Sequence, residues 1–212
     1  MSLHPAGGKA KDEDGPPEVI YIIRHGEKPG DPPPAHGKHH GFGVDYQGGQ
    51  SEHSLLPRGW QRSGALVALF APAAGPPRSG LRTPVTLLSP SHGEPAKSAV
   101  RRTYQTIQGL AEHLGLTIGT PFEVGHEPQL ASSVLAGYSG VVLICWEHHH
   151  IPAIGRALPT AHGTAIPETW PDDRFDVIWA FTRLPGPPEA RYAFSQIPQR
   201  LLAGDADKVI PG

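Results

Sequence analysis

The chain has one cysteine, one methionine and only 7% aromatic residues. A lone cysteine, Cys145, excludes an intramolecular disulfide and a multi-cysteine zinc site. It stands inside the apolar run 141–146, which is the setting of a buried strand residue. No charge of either sign dominates: the formal net charge is -2 and the sequence pI is near 6.7. That balance argues against a nucleic-acid binder using a large basic surface and a membrane-surface protein using a polybasic patch. No apolar window reaches membrane-spanning length, and residues 1–17 are rich in glycine, proline and charge without the apolar core of a signal peptide. The expectation is a soluble cytoplasmic protein with a flexible N-terminal segment over residues 1–17. Any bound anion must be caught locally.

What the chain does have is 26 glycines and 25 prolines set outside well-defined apolar runs. At 212 residues, with no internal repeat, one domain over 18–212 with long loops is the economical reading. Residues 19–23, 85–88, 141–146 and 177–181 are continuous apolar runs, as expected of strands covered on both faces. Helical spacing falls between them at 57–70, which opens on a favourable first-turn proline, and at 96–114, with Val100, Tyr104, Ile107, Ala111 and Leu114 on one stripe. A third helix is expected over 127–138. Strands alternating with helices predict an α/β fold with a doubly wound, mostly parallel sheet and helices on both faces. Residues 190–194 read as a late edge strand, joined to 177–181 through Gly186-Pro187-Pro188. Residues 29–54 form a loop too long for mere linkage, placed to shape a pocket.

The first strand delivers Arg24-His25-Gly26 at its end, where α/β sheets open into a crevice. A guanidinium, an imidazole and a glycine there offer an anion clamp, a nucleophile or base, and room for close approach. Further along stand Ser54-Leu55-Leu56-Pro57-Arg58-Gly59-Trp60-Gln61-Arg62, then Arg102-Thr103-Tyr104-Gln105-Thr106, then Trp146-Glu147-His148 at another strand end. Over nearly all of residues 19–202 these motifs, in this order, resemble the histidine phosphatase superfamily, also called the phosphoglycerate mutase-like family. The resemblance implies a three-layer phosphoglycerate mutase-like fold. It also implies that His25 attacks phosphorus to form a phosphohistidine, with Arg24, Arg102 and His148 surrounding the phosphoryl oxygens. Arg101 is the alternative to Arg102. The chain departs from the family's usual pattern in having His149 directly after His148.

The leaving alcohol needs a proton, hence a carboxylic acid with a raised pKa. Glu127 is the preferred donor, and Glu123 and Glu147 are the other candidates. The run His148-His149-His150 also admits a metal cluster, but adjacent histidines rarely all face one ion, so no metal or other cofactor is expected. His36, His39, His40 and His53 read as solvated loop residues. Trp60 reads as helix core, Arg58 as a solvated first-turn residue, and Glu27 with Lys28 as a local charged turn.

The function so implied is hydrolysis of a phosphomonoester on a phosphorylated small molecule, without nucleic-acid or membrane partners and with oligomeric state open. A phosphoglycerate mutase-type phosphotransferase shares the pocket. A catalytically weak phospho-ligand binding protein is the alternative from a different class.

Overall fold

In the computed structural model, the residues described are 15–30, 41–78, 80–91, 101–186 and 191–212. They form an α/β fold built on a six-stranded mixed sheet. In chain order the elements are β1 (Val19–Arg24), α1 (Pro57–Phe70), β2 (Thr86–Leu88), α2 (Arg102–Leu114), β3 (Ile118–Gly119), α3 (Glu127–Gly137), β4 (Val141–Trp146), α4 (Ile151–Ala157), β5 (Val177–Arg183) and β6 (Tyr192–Pro198). The strand order is β3-β2-β4-β1-β5-β6. No helix among the described residues is long and apolar enough to cross a membrane.

β1 and β4 are buried at every position, because each sits inside the sheet with helices over both faces. Alternation then divides the core in two. Val19, Tyr21 and Ile23 pack with Leu66 and Phe70 of α1 and Ile107 and Leu110 of α2. Ile20 and Ile22 face the other way, against Leu130 and Val134 of α3 and Ile151 and Ile154 of α4. Cys145 is fully buried, as expected of a strand residue. Trp60 departs from the core reading: it is half-buried, and its indole Nε1 donates to Val44 O at 2.7 Å, pinning the loop ahead of α1.

One direction differs from expectation. β1, β4, β2 and β3 are mutually parallel, but β5 runs antiparallel to β1, with Val19 opposite Thr182 and Ile23 opposite Ile178. The reason lies in the segment after α4. Thr160 bridges Tyr192 at the edge where β1 begins, whereas Pro171, Asp172 and Arg174 touch Arg24 where β1 ends. The chain has therefore already recrossed the sheet before β5 starts, so β5 must run back. β6 then pairs antiparallel with β5 over Tyr192–Pro198, starting later and running further than the 190–194 edge strand expected.

The helix expected over 96–114 is described from Arg102, and residues 96–100 lie outside the described residues. So do 1–14, 31–40 with His36, His39 and His40, and 187–190 with Pro187 and Pro188. Residues 15–17, counted with the flexible segment, are tied to the sheet: Arg183 Nη1 donates to Pro16 O and Tyr192 Oη to Pro17 O.

Candidate functional site

The carboxyl ends of β1 and β4 lie side by side, with Arg24 opposite Trp146 in register and His25 N donating to Trp146 O at 3.2 Å. Arg24, His25 and His148 are thereby brought together and all are buried. The His25 and His148 rings stand 6.0 Å apart between centroids and nearly perpendicular, at 84°. His25 Nδ1 lies 2.8 Å from Gly26 O. A carbonyl only accepts, so the Nδ1 proton stays on that bond and Nε2 is left as the unprotonated nitrogen of the neutral ring. Burial holds the His25 pKa well below the usual histidine value, and the Arg24 guanidinium beside it pushes the same way, against the Gly26 bond. At neutral pH this imidazole is uncharged, with its lone pair at Nε2.

Arg24 is locked in place. Its Nη1 donates to three carbonyls, those of Pro171 (3.3 Å), Asp172 (2.5 Å) and Arg174 (3.3 Å), and its Cζ lies 3.8 Å above the Phe175 ring, a cation–π contact. His148 Nε2 donates to Asp172 Oδ1 at 2.8 Å, which fixes that ring as well. The segment 171–175 thus forms one wall of the site, and the motif pattern of the sequence does not point to it. The signal available is the cluster Asp172-Asp173-Arg174-Phe175 just ahead of an apolar run, which matters only if that strand runs antiparallel.

The motif residues around this centre act largely as joints. Thr106 Oγ1 accepts from Gly26 N (2.8 Å) and donates to Arg102 O (2.6 Å), joining the first turn of α2 to the end of β1. Gln105 accepts from Leu55 N (3.1 Å) and donates to Ser54 Oγ (3.0 Å), holding the approach to α1. Gly26 and Gly59 interlock: a Cβ on Gly26 would stand 3.1 Å from Gly59 Cα, and one on Gly59 would stand 2.5 Å from Glu27 O. Only glycine at both places lets α1 sit directly on the strand end.

Glu27 is not a local charged turn. It is buried, with its carboxylate bonded to Arg58 Nε (3.0 Å) and held by both Nε and Nη2 of Arg62. The Arg62 guanidinium is in turn bonded twice to Asp205. Arg58 accordingly is a half-buried member of this network rather than a solvated residue. Two arginines and two carboxylates balance in charge, which is what allows them below the surface.

Of the remaining expected residues, Arg102 is half-buried at the start of α2, and its Nη2 donates to Glu52 O at 2.7 Å, so the described part of the long loop meets it. Arg101 is exposed. Glu127 is buried at the start of α3, against the Trp146 side chain at the end of β4. Its Oε1 accepts from Gly125 N (2.8 Å) and Trp146 Nε1 (3.0 Å) and stands 3.2 Å from His150 Nδ1. Burial alone would raise its pKa, but these contacts win and hold it below the ordinary carboxyl value. That is the opposite of what a proton donor needs. Glu123 is exposed, and Glu147 is half-buried with Oε1 3.6 Å from His148 Nδ1. Glu147, His148 and His149 also bring three ligand-type atoms within 4.8 Å of one another. Comparison of the chain with protein-family models, with curated proteins and with solved structures found no match.

Proposed function

We propose that the protein is a histidine phosphatase-type phosphomonoester hydrolase of three-layer, phosphoglycerate mutase-like architecture, with His25 as its nucleophile. The observation that carries this reading is the His25 imidazole: buried, neutral, pinned through Nδ1–H to Gly26 O, and set between a fixed arginine and a second histidine. A nucleophile must present a bare Nε2 at each turnover, and this tautomer lock supplies it.

In the first step Nε2 of His25 forms a bond to phosphorus as the bond from phosphorus to the leaving oxygen breaks. Arg24 and Arg102 balance the charge on the phosphoryl oxygens, and His148, whose Nε2–H is held by Asp172, joins them once its buried Nδ1 takes up a proton with the bound phosphate, contacts of a kind worth roughly 3 kcal/mol each in the transition state. The leaving oxygen takes a proton from a carboxyl group. With Glu127 held as an acceptor by Trp146 and Gly125, Glu147 beside His148 is the better placed donor. In the second step water attacks phosphorus, the Nε2–phosphorus bond breaks, the water proton returns to Glu147, and inorganic phosphate leaves.

His25→Ala is expected to abolish both phosphate release from an aryl phosphate and the acid-labile phosphoenzyme trapped by rapid quench. Turnover retained by this variant ends the mechanism. A non-catalytic phospho-ligand binder is the competing reading, favoured by one observation: Arg24 Nη1 already serves three carbonyls. Calorimetric phosphate binding without turnover in the unaltered protein would establish that alternative.

A further inference from the structure

His148 carries a polar atom that its surroundings do not use. The side chain is only 5% exposed, Nε2 is engaged by Asp172 Oδ1, and Nδ1 is buried without a hydrogen-bond partner. The group it meets is the Glu147 carboxylate, with Oε1 at 3.6 Å, beyond hydrogen-bond range. Metal–ligand bonds of about 2.0–2.1 Å place tetrahedral ligand atoms roughly 3.4 Å apart. The Nδ1–Oε1 spacing therefore suits an ion between them better than it suits a proton.

We propose that Glu147, His148 and His149 bind one divalent cation of the zinc class, through Nδ1 of His148, a carboxylate oxygen of Glu147 and a ring nitrogen of His149. The donor set of two imidazoles and one carboxylate is borderline-soft, which selects zinc or cobalt over magnesium or calcium. The bond from Nε2–H of His148 to Asp172 is the carboxylate support that metal-bound histidines commonly have, and it leaves the lone pair on Nδ1. His149, whose side chain is 65% exposed, is free to turn its ring and bring the third atom in from the outer limit of 4.8 Å. Bound metal would commit His148 and Glu147 and so remove both from phosphoryl transfer. The site is thus an inhibitory switch, a consequence that rests on the phosphatase reading, whereas binding itself does not.

The test titrates zinc chloride calorimetrically, and cobalt(II) by its visible absorption, into the full chain freed of metal by chelation. One tetrahedral-type site is expected, weakened at least about tenfold by Glu147→Gln or His149→Ala and about 10–100-fold by Asp172→Asn. Equal binding by the unaltered protein and these variants, or no saturable binding, overturns the site. In aryl phosphate hydrolysis, His149→Ala should match the unaltered protein without zinc and resist zinc that inhibits the latter. Zinc that binds here yet accelerates turnover or leaves it unchanged overturns the switch. Absence of turnover without zinc would refute the phosphatase reading, and the cobalt titration would still decide the site.

Discussion

Replacing Thr106 with valine removes one hydroxyl at nearly constant shape, which makes it a clean probe of how the strand end is held. Thr106 is fully buried in α2, and its Oγ1 is the acceptor for Gly26 N–H at 2.8 Å. The peptide group so anchored belongs to the residue whose carbonyl fixes the His25 tautomer. With valine the Gly26 N–H is left buried and unpaired, a loss of about 1–3 kcal/mol. For a chain of this size that is a drop of roughly 2–12 °C in Tm. Urea unfolding should show a lower midpoint at unchanged slope.

Thr106→Ser is the companion, since it keeps the hydroxyl and deletes only a methyl, a change worth about 1 kcal/mol or less. The valine variant should be the less stable of the two and should also lose the greater share of kcat in aryl phosphate hydrolysis. If serine costs as much as valine or more, packing of the methyl outweighs the hydrogen bond, and the account of Thr106 as a polar joint is refuted.

The depressed His25 pKa sets a sign for the pH dependence. Below about 6.5 the unfolded chain takes up a proton there that the folded protein refuses, so stability falls as pH drops from 6.5, by at most about 1.4 kcal/mol per pH unit. His25→Asn, whose amide can still donate to Gly26 O, should flatten that slope in urea titrations run at several pH values. Gly59→Ala places its Cβ against the Glu27 backbone, neighbours that cannot rotate away, and should cost about 1–3 kcal/mol in unfolding measurements. Arg62→Met leaves the Glu27 and Asp205 carboxylates buried with one arginine fewer and should cost about 3–5 kcal/mol. A loss under about 1 kcal/mol would show the network to be dispensable.

The parts of the fold legible in the sequence are those where one segment settles its own fate. β1 and β4 are unbroken apolar runs of strand length, and they are buried on both faces as such runs require. α1 begins at Pro57, where a first-turn proline belongs. Glu27 is illegible for the opposite reason. Next to Lys28 it looks like an exposed turn, and its principal partner Arg62 is 35 residues away, with Asp205 beyond that in the C-terminal segment. Burial of a charge is decided by who arrives opposite it, and spacing along the chain carries no trace of that.

Strand direction is the deeper case, because it decides where chemistry is sought. In a parallel sheet the active edge is made by the residues just after each strand, and a reading built on that rule searches after 19–23 and after 141–146. β5 runs the other way, so the residues that precede it reach the same edge. Asp172 and Phe175 enter the site by this route, and an apolar run has no property that reveals its polarity. Four of the motif residues are joints. Gly26, Gly59, Gln105 and Thr106 fasten β1, α1 and α2 to one another, while the groups with chemical capacity are Arg24, His25 and His148. Such fastening would be wanted whether the site turns over a phosphate or merely binds one. The Nδ1 bond of His25 leaves Nε2 bare, as attack on phosphorus would require; an acid-labile phosphoenzyme, trapped or missing, is what separates the two uses.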